Sequence, residues 1–287
     1  MNVAREVGEL ESKPRAVALG TFDGVHLGHR RVLDAALAAG RTPTVVTFDP
    51  HPREALGYGV ELLVPLERRL DLLAEAGIEE ALLVDFDLEL AQLEPEAFAE
   101  RVLRPLGTEV VLAGSNFRFG RGRAGDLALL ERLGFDARPV PLVDGVSSTR
   151  IRDLLRGGEV ERAAKLLGRP PELAGTVVAG DARGGTLGFP TANLRPESGV
   201  LVPGYGIYAG AADGRRAAIS IGTNPHYGGD ERRIEAFLLD FAGDLYGERL
   251  TLELWQRLRD EQAFGSEAEL VAQIDRDVEA TRQAERP

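Results

Sequence analysis

At Gly168-Arg-Pro-Pro-Glu172 the chain changes rhythm, and no single regular layer can run through the change. Adjacent prolines fix φ and remove two backbone donors, so neither a helix nor an interior strand continues across them. Before the break, from residue 15 to about residue 167, short apolar runs alternate with stretches of helical spacing. The runs predict strands at Ala16–Leu19, Thr44–Phe48, Ala81–Asp85, Glu109–Ala113 and Arg138–Val143. The spacing predicts helices over Leu27–Ala39, Pro65–Ala76, Pro95–Leu106 and Leu127–Leu133. Strands alternating with helices of this length make a parallel sheet covered on both faces, an α/β domain. After the break come β-like runs at Gly175–Val178, Gly206–Ala212, Arg216–Ile221, Glu235–Leu239 and Leu250–Leu254, separated by Gly, Asp and Pro. Only Ser266–Arg282 keeps helical spacing there. Leu270, Ile274 and Val278 lie on one stripe, and Ser266 with Glu269 forms a capping box. Short strands with one terminal helix predict a small barrel or sandwich. A chain of 287 residues has room for two such units, divided as 1–168 and 169–287. There is no internal repeat, and Gln283–Pro287 is expected to fray.

Composition removes several classes of function. Hydrophobic residues at 44% and charged residues at 28% describe an ordinary globular protein rather than a disordered one. No run approaches the ~18 apolar residues of a membrane span. The charged N-terminus MNVAREVGELESKPR lacks a signal-peptide core, so the expected compartment is the cytoplasm. Zero cysteines exclude disulfides, thiolate metal sites and cysteine nucleophiles. The four histidines, His26, His29, His51 and His226, are too scattered for a histidine-rich metal site. A net charge of −12 argues against nucleic acid as a partner. Lys13 and Lys165 are the only lysines, and an arginine bias that runs through the whole chain locates no site.

The N-terminal half carries three clusters suited to nucleotide phosphates. The first expected strand runs into Gly20-Thr-Phe-Asp-Gly-Val-His-Leu-Gly-His29, which opens a helix. His26 and His29 lie three apart on the first turn, where backbone N–H groups and the helix dipole favour an anion. Gly24 and Gly28 remove side chains that would block a phosphate. Two imidazole donors there suit the charge that builds on an α-phosphate under attack. Two surface histidines would be the usual explanation of a bare H-x-x-H, but this turn is glycine-rich and starts an α/β sheet. The second cluster, Gly114-Ser-Asn-Phe-Arg-Phe-Gly-Arg-Gly-Arg-Ala-Gly-Asp126, contains a literal G-x-G-x-x-G at Gly120, Gly122 and Gly125. A dinucleotide fingerprint should begin at the end of the first strand, whereas here Asn116 and Arg118 intervene after a late strand. The third, Ser147-Ser-Thr-Arg-Ile-Arg152, starts a helix that continues to about Arg156. Its hydroxyls are either caps or, with the arginines, a cradle for outer phosphates. No G-x-x-x-x-G-K-[ST] occurs, which excludes a P-loop.

The C-terminal half carries a different phosphate chemistry. Gly180-Asp-Ala-Arg-Gly-Gly-Thr-Leu-Gly-Phe-Pro-Thr-Ala-Asn193 offers free N–H groups to a polyphosphate. Thr191 and Asn193 present hard oxygens two residues apart, suited to a phosphate-bound Mg²⁺, although a hairpin turn with an Asx cap reads similarly. Downstream, Glu235 sits in the apolar run Ile234-Glu-Ala-Phe-Leu-Leu-Asp240. A carboxylate at the rim of a β core can serve as general base towards a hydroxyl. On the residues alone, a solvent-facing strand glutamate is the commoner explanation.

Taken in order, GTFDGVHLGH, TFDPHP, GSNFRFG, SSTRIR, GFPTANL, SIGTNPHYGG and DLYGE make the chain similar to the prokaryotic bifunctional riboflavin kinase/FAD synthetase family, over nearly its whole length. The resemblance implies a Rossmann-like nucleotidyltransferase domain followed by a six-stranded antiparallel barrel with a terminal helix. It also implies two Mg²⁺-dependent steps: riboflavin and ATP give FMN and ADP, then FMN and ATP give FAD and pyrophosphate. In the first module the family's paired histidines fall on His26 and His29, within a turn whose Gly20, Phe22, Gly24 and Gly28 would face ATP. Its asparagine, near the nucleotide or its metal, falls on Asn116. Its S-S-T-x-x-R falls on Ser147, Ser148, Thr149 and Arg152, around the ATP phosphates. In the kinase module Gly180, Arg183, Gly188 and Pro190 belong to the ATP loop, Thr191 and Asn193 match the metal ligands, and Glu235 matches the base. The flavin-side R-x-E-x-x-F falls on Arg259, Glu261 and Phe264.

Three positions depart from the family pattern. Gly185 stands where a second basic residue is usual, Ala263 where a lysine is common, and Asp49 where a glutamate is usual. A weakened kinase loop at Gly185 leaves, as an alternative, a protein with only one active module. A flavin-binding protein without turnover is a further alternative, disfavoured by the intact His26, His29, Thr191, Asn193 and Glu235. The expected partners are small molecules, with no membrane, and the expected assembly is a monomer or weak homo-oligomer.

Overall fold

The structure is a computed structural model that describes residues 1–180, 189–223 and 232–287. By contacts the chain divides into two compact units. One comprises Met1–Glu61 and Pro65–Ser148, the other Leu62–Val64 and Thr149–Pro287.

The first unit is built on a parallel sheet of β1 (Asn2–Ala4), β2 (Arg15–Leu19), β3 (Thr42–Asp49), β4 (Glu80–Asp85), β5 (Thr108–Gly114) and β6 (Asp136–Val140). The strand order is β1-β4-β3-β2-β5-β6. All five residues of β2 are buried, as expected of a central strand covered on both faces. Only a charged residue breaks its apolar run. Arg15 donates from Nε to Glu80 Oε2 at 2.8 Å, and Lys13 Nζ reaches the same carboxylate at 2.9 Å. From β2 the chain winds outward through β3 and β4, then crosses back to β5 and β6 on the other side. The order therefore reverses between β2 and β5. In such sheets ligands bind beyond the carboxyl ends of the strands flanking that reversal.

The strands and helices expected of this unit are present with small shifts. β6 ends at Val140 rather than Val143, because Pro141 removes the next donor. The stretch expected as one helix over Pro95–Leu106 is a short helix, Pro95–Phe98, followed by a π-helical turn, Ala99–Leu103. β1, three residues paired with β4, is too short to show periodicity in the sequence.

The second unit is a closed barrel with strand order β10-β11-β8-β7-β12-β9 and antiparallel neighbours. Its strands are β7 (Glu172–Val178), β8 (Ala192–Pro196), β9 (Gly206–Ala212), β10 (Arg215–Thr223), β11 (Arg232–Leu238) and β12 (Arg249–Arg259). β11 alternates cleanly: Ile234, Ala236 and Leu238 are buried, while Arg233, Glu235 and Phe237 lie on the outer wall. The helices Ser148–Arg156 and Val160–Leu167, which precede the proline pair, add Ile151, Leu154, Leu155, Val160, Ala163 and Leu167 to the barrel's core. So does Leu63, delivered by a short segment: Leu62 N–H donates to Gly199 O at 2.7 Å and Leu201 N–H to Leu62 O at 2.8 Å. The terminal helix Glu267–Gln283 starts at Ser266, whose Oγ accepts from Glu269 N–H at 3.3 Å, as the capping box predicts. Its apolar stripe is only half-buried, and its buried residues are Asp277 and Thr281.

Candidate active sites

The turn after β2 lies at the reversal point of the sheet. It is tightly wound, with φ of +51° at Phe22, +81° at Gly24 and +38° at Val25. Its base is fastened at the Thr21 carbonyl, which accepts from Thr47 Oγ1 at 3.1 Å and from Arg69 Nη1 at 3.0 Å. The turn delivers His26 as the N-cap of helix Leu27–Leu37, where Nδ1 accepts from His29 N–H at 3.2 Å. Because Nδ1 accepts, the ring's proton sits on Nε2. The two imidazoles stack at 3.6 Å with 10° between planes, and the Phe22 ring meets His29 edge-on at 5.3 Å. Burial, reinforced by His26 and then Arg69, holds the His29 pKa well below the ordinary histidine value. His29 is therefore neutral at pH 7. Ser148 Oγ donates to Asp23 O at 3.0 Å, within the same unit.

On the outer wall of the barrel, Glu235 of β11 stands directly opposite Asn193 of β8. Thr191 Oγ1 donates to Glu235 Oε1 at 3.2 Å. Arg233, on the same face, donates from Nη2 to Glu235 Oε1 at 2.9 Å and from Nε to Asn193 Oδ1 at 3.3 Å. The Phe189 and Phe237 rings meet edge-on at 5.4 Å beside them. A Cβ on Gly180 would fall inside the Asn193 carboxamide, so only glycine lets the chain pass there. These groups combine oxygen donors, a carboxylate and a cation within one hydrogen-bonded cluster.

Residues 9–150 match the family model for FAD synthetase, and residues 167–285 match that for riboflavin kinase. The bifunctional riboflavin kinase/FMN adenylyltransferases of Listeria monocytogenes and Escherichia coli are each 36% identical to the chain. The alignments cover 93% of this chain and 91% of the Listeria protein, and 96% of both chains for E. coli. The chain belongs to the bifunctional riboflavin kinase/FMN adenylyltransferase family. A crystal structure described as a macrolide-efflux protein from Streptococcus pneumoniae superposes with a TM-score of 0.89 at 31% identity, covering 98% of each chain. Among the described residues of this chain, no helix is long and apolar enough to cross a membrane.

In the FAD synthetase module the structure brings His26, His29 and Ser148 to one turn. The Gly28 α-carbon faces the His26 ring, with a Cβ position 3.1 Å from its Cε1, so this glycine gives room to the imidazole. Gly20 similarly abuts the Phe22 ring, which is buried. Asn116 and Ser147 are exposed on the loops after β5 and β6, Thr149 is exposed, and Arg152 is buried. Gly120 and Gly125 of the G-x-G-x-x-G are packing positions, where Cβ atoms would lie 2.8 and 2.5 Å from Pro95. His51 caps the short helix Pro52–Ala55 by accepting from Arg53 N–H at 3.1 Å.

In the kinase module Thr191, Asn193 and Glu235 come together. The segment after Pro190 is strand β8 rather than the loop its Pro-Thr-Ala-Asn suggests, and its pairing with β11 is what aligns Asn193 with Glu235. Arg183, Gly185 and Gly188 lie outside the described residues. The residues expected on the flavin side are engaged with the protein. Arg259 forks onto Asp277, with Nη2–Oδ2 at 2.7 Å, and lies over the Phe264 ring at 5.9 Å. Glu261 packs its carboxylate against Gly222. Desolvation there raises its pKa, against the pull of Arg259 and the Thr223 backbone. Two residues of these sites are absent from the motif reading, Arg69 and Arg233. Period two along a strand places Arg233 beside Glu235, a signal present in the sequence. Arg69 offers only a charged residue on the apolar face of helix Leu66–Glu75.

Proposed function

We propose that the two clusters divide the family's two reactions between them, with adenylyl transfer carried by residues within 1–168 and phosphorylation by residues within 169–287. The enzyme phosphorylates riboflavin with ATP to FMN and then adenylylates FMN with ATP to FAD and pyrophosphate. The observation that carries the division is the separate assembly of a neutral histidine stack at a helix N-terminus and a Thr191–Asn193–Glu235 cluster on a barrel wall.

In the kinase step Glu235 takes the proton of the riboflavin 5′-hydroxyl as its oxygen attacks the γ-phosphorus, and ADP leaves. Thr191 and Asn193 supply the uncharged oxygen donors suited to a Mg²⁺ that arrives with ATP, which keeps most of its shell from water and phosphate. When bound, that ion would neutralise charge on the transferring phosphoryl group. In the adenylyl step an FMN phosphate oxygen attacks the α-phosphorus and pyrophosphate leaves. His26 and His29 donate ring N–H groups to the oxygens on which charge builds, at a helix end that favours anions. Asn116, Ser147, Ser148, Thr149 and Arg152 hold the nucleotide. Arg259, Glu261 and Phe264 shape the flavin side through the contacts they make. We infer a cytoplasmic enzyme, a monomer or weak homo-oligomer, with small-molecule partners and no nucleic acid.

A single reaction tests this: protein, riboflavin, ATP and Mg²⁺, with flavins separated by chromatography over time. FMN should rise before FAD. His29→Ala should abolish FAD while FMN still forms, and Glu235→Gln should stop FMN while FAD is still made from supplied FMN. Loss of both products in either variant would count against the division.

A further inference from the structure

Arg69 lies in the helix Leu66–Glu75, is 5% exposed, and belongs to no motif of the family reading. Burying a guanidinium is costly unless its donors are matched. Here Nη1 reaches Thr21 O and Nη2 reaches Phe48 O, each at 3.0 Å, and Nε is buried without a hydrogen-bond partner. Those two carbonyls belong to the histidine turn and to the end of β3, so one planar fork ties the two segments together. Asp23 and Asp49 are the carboxylates that act on Arg69. Burial lowers its pKa and they offset part of that, leaving an arginine that keeps its proton.

We propose that Arg69 is a positioning residue of the adenylyl-transfer site, clamping the histidine turn through the Thr21 and Phe48 carbonyls and holding a fixed positive charge beside the His26–His29 stack. This rests on the reading of that turn as the adenylyl-transfer site. Two imidazoles stacked at 3.6 Å repel each other if both are charged. A non-titrating cation beside them attracts the anionic substrate in their place. The imidazoles then remain neutral, and His26 keeps a proton on Nε2 to donate. The charged groups acting on His29 are His26 on its own turn and Arg69 on the neighbouring helix, and both lower its pKa after burial has done so.

The test uses the full-length enzyme and the variants Arg69→Gln and Arg69→Lys. His29 is followed by the pH titration of its imidazole ¹⁵N signals, and FAD formation from FMN and ATP is followed across pH. Without the cation, Arg69→Gln should raise the His29 titration by about one pH unit, and the low-pH limb of FAD formation should move up with it. Arg69→Lys keeps the charge but cannot fork onto both carbonyls. It should titrate like wild type while kcat for FAD falls roughly ten-fold. Riboflavin phosphorylation should be unchanged in both. A wild-type His29 titration in Arg69→Gln, or wild-type kcat in Arg69→Lys, would overturn the proposal. Full FAD synthesis by His29→Ala would instead sink the reading of the turn, and the His29 titration would still judge Arg69. If Arg69→Gln does not fold, the Arg69→Lys result decides.

Discussion

His26 spends its Nδ1 on the helix it begins, and His29 is kept neutral by burial. That has a thermodynamic consequence. A histidine whose folded pKa is depressed binds its proton in the unfolded chain first, so its stabilisation is complete above the ordinary histidine pKa and drains away as pH falls towards the depressed value. One such proton changes stability by about 1.4 kcal/mol per pH unit in that window. The wild-type protein should therefore lose thermal stability as pH falls below about 6.5 faster than His29→Gln, with the two compared by melting curves. In the kinase module, Gly180→Ala would drive a methyl into Asn193 and should lower kcat for FMN while FAD from supplied FMN is unaffected. The paired histidines and the Thr-Ala-Asn run were legible in the sequence because their chemistry is local. Arg69 was not, because its partners, Thr21 and Phe48, are 48 and 21 residues away.

At the scale of elements, the terminal helix shows what periodicity leaves out. Leu270, Ile274 and Val278 form the stripe that defines the helix in the sequence, yet its most buried position of that turn is Asp277, forked by Arg259 and bonded by Gln273 Nε2 at 2.8 Å. Removing one partner of a buried pair strands the other charge and costs about 3–5 kcal/mol, whereas losing a Ser cap costs about 1 kcal/mol. Asp277→Ala should thus lower the melting temperature of the barrel unit far more than Ser266→Ala. It should also depress riboflavin phosphorylation by freeing Arg259. β8 was missed for a related reason: its residues read as a turn, and its strand character comes from pairing with β7 and β11 on either side. The same dependence on tertiary context explains Gly120 and Gly125, whose close approach is to Pro95 across a loop.

For the whole molecule, the proline pair and the change of rhythm announced two architectures, and both the parallel sheet and the barrel are present. What no pattern announced is the detour of Leu62–Val64, three residues of the first half that join the second unit and bring Leu63 into its core. Leu63 is 5% exposed there, and truncating a buried leucine costs about 2–5 kcal/mol. Leu63→Ala should therefore hasten the thermal inactivation of riboflavin phosphorylation while FAD synthesis from FMN in the same sample survives to higher temperature. Equal loss of both activities would contradict that assignment.

The detour also sets an order of events at the ribosome. Leu62 emerges with the nascent sheet, but its hydrogen-bonding partners Gly199 and Leu201 are made roughly 140 residues later. At about 5–20 residues per second, that is a wait on the order of ten seconds. Throughout it an apolar Leu-Leu-Val strand has no template to pair with. A ribosome stalled in that interval would leave a polypeptide whose second unit lacks the strand that Leu62 pairs with.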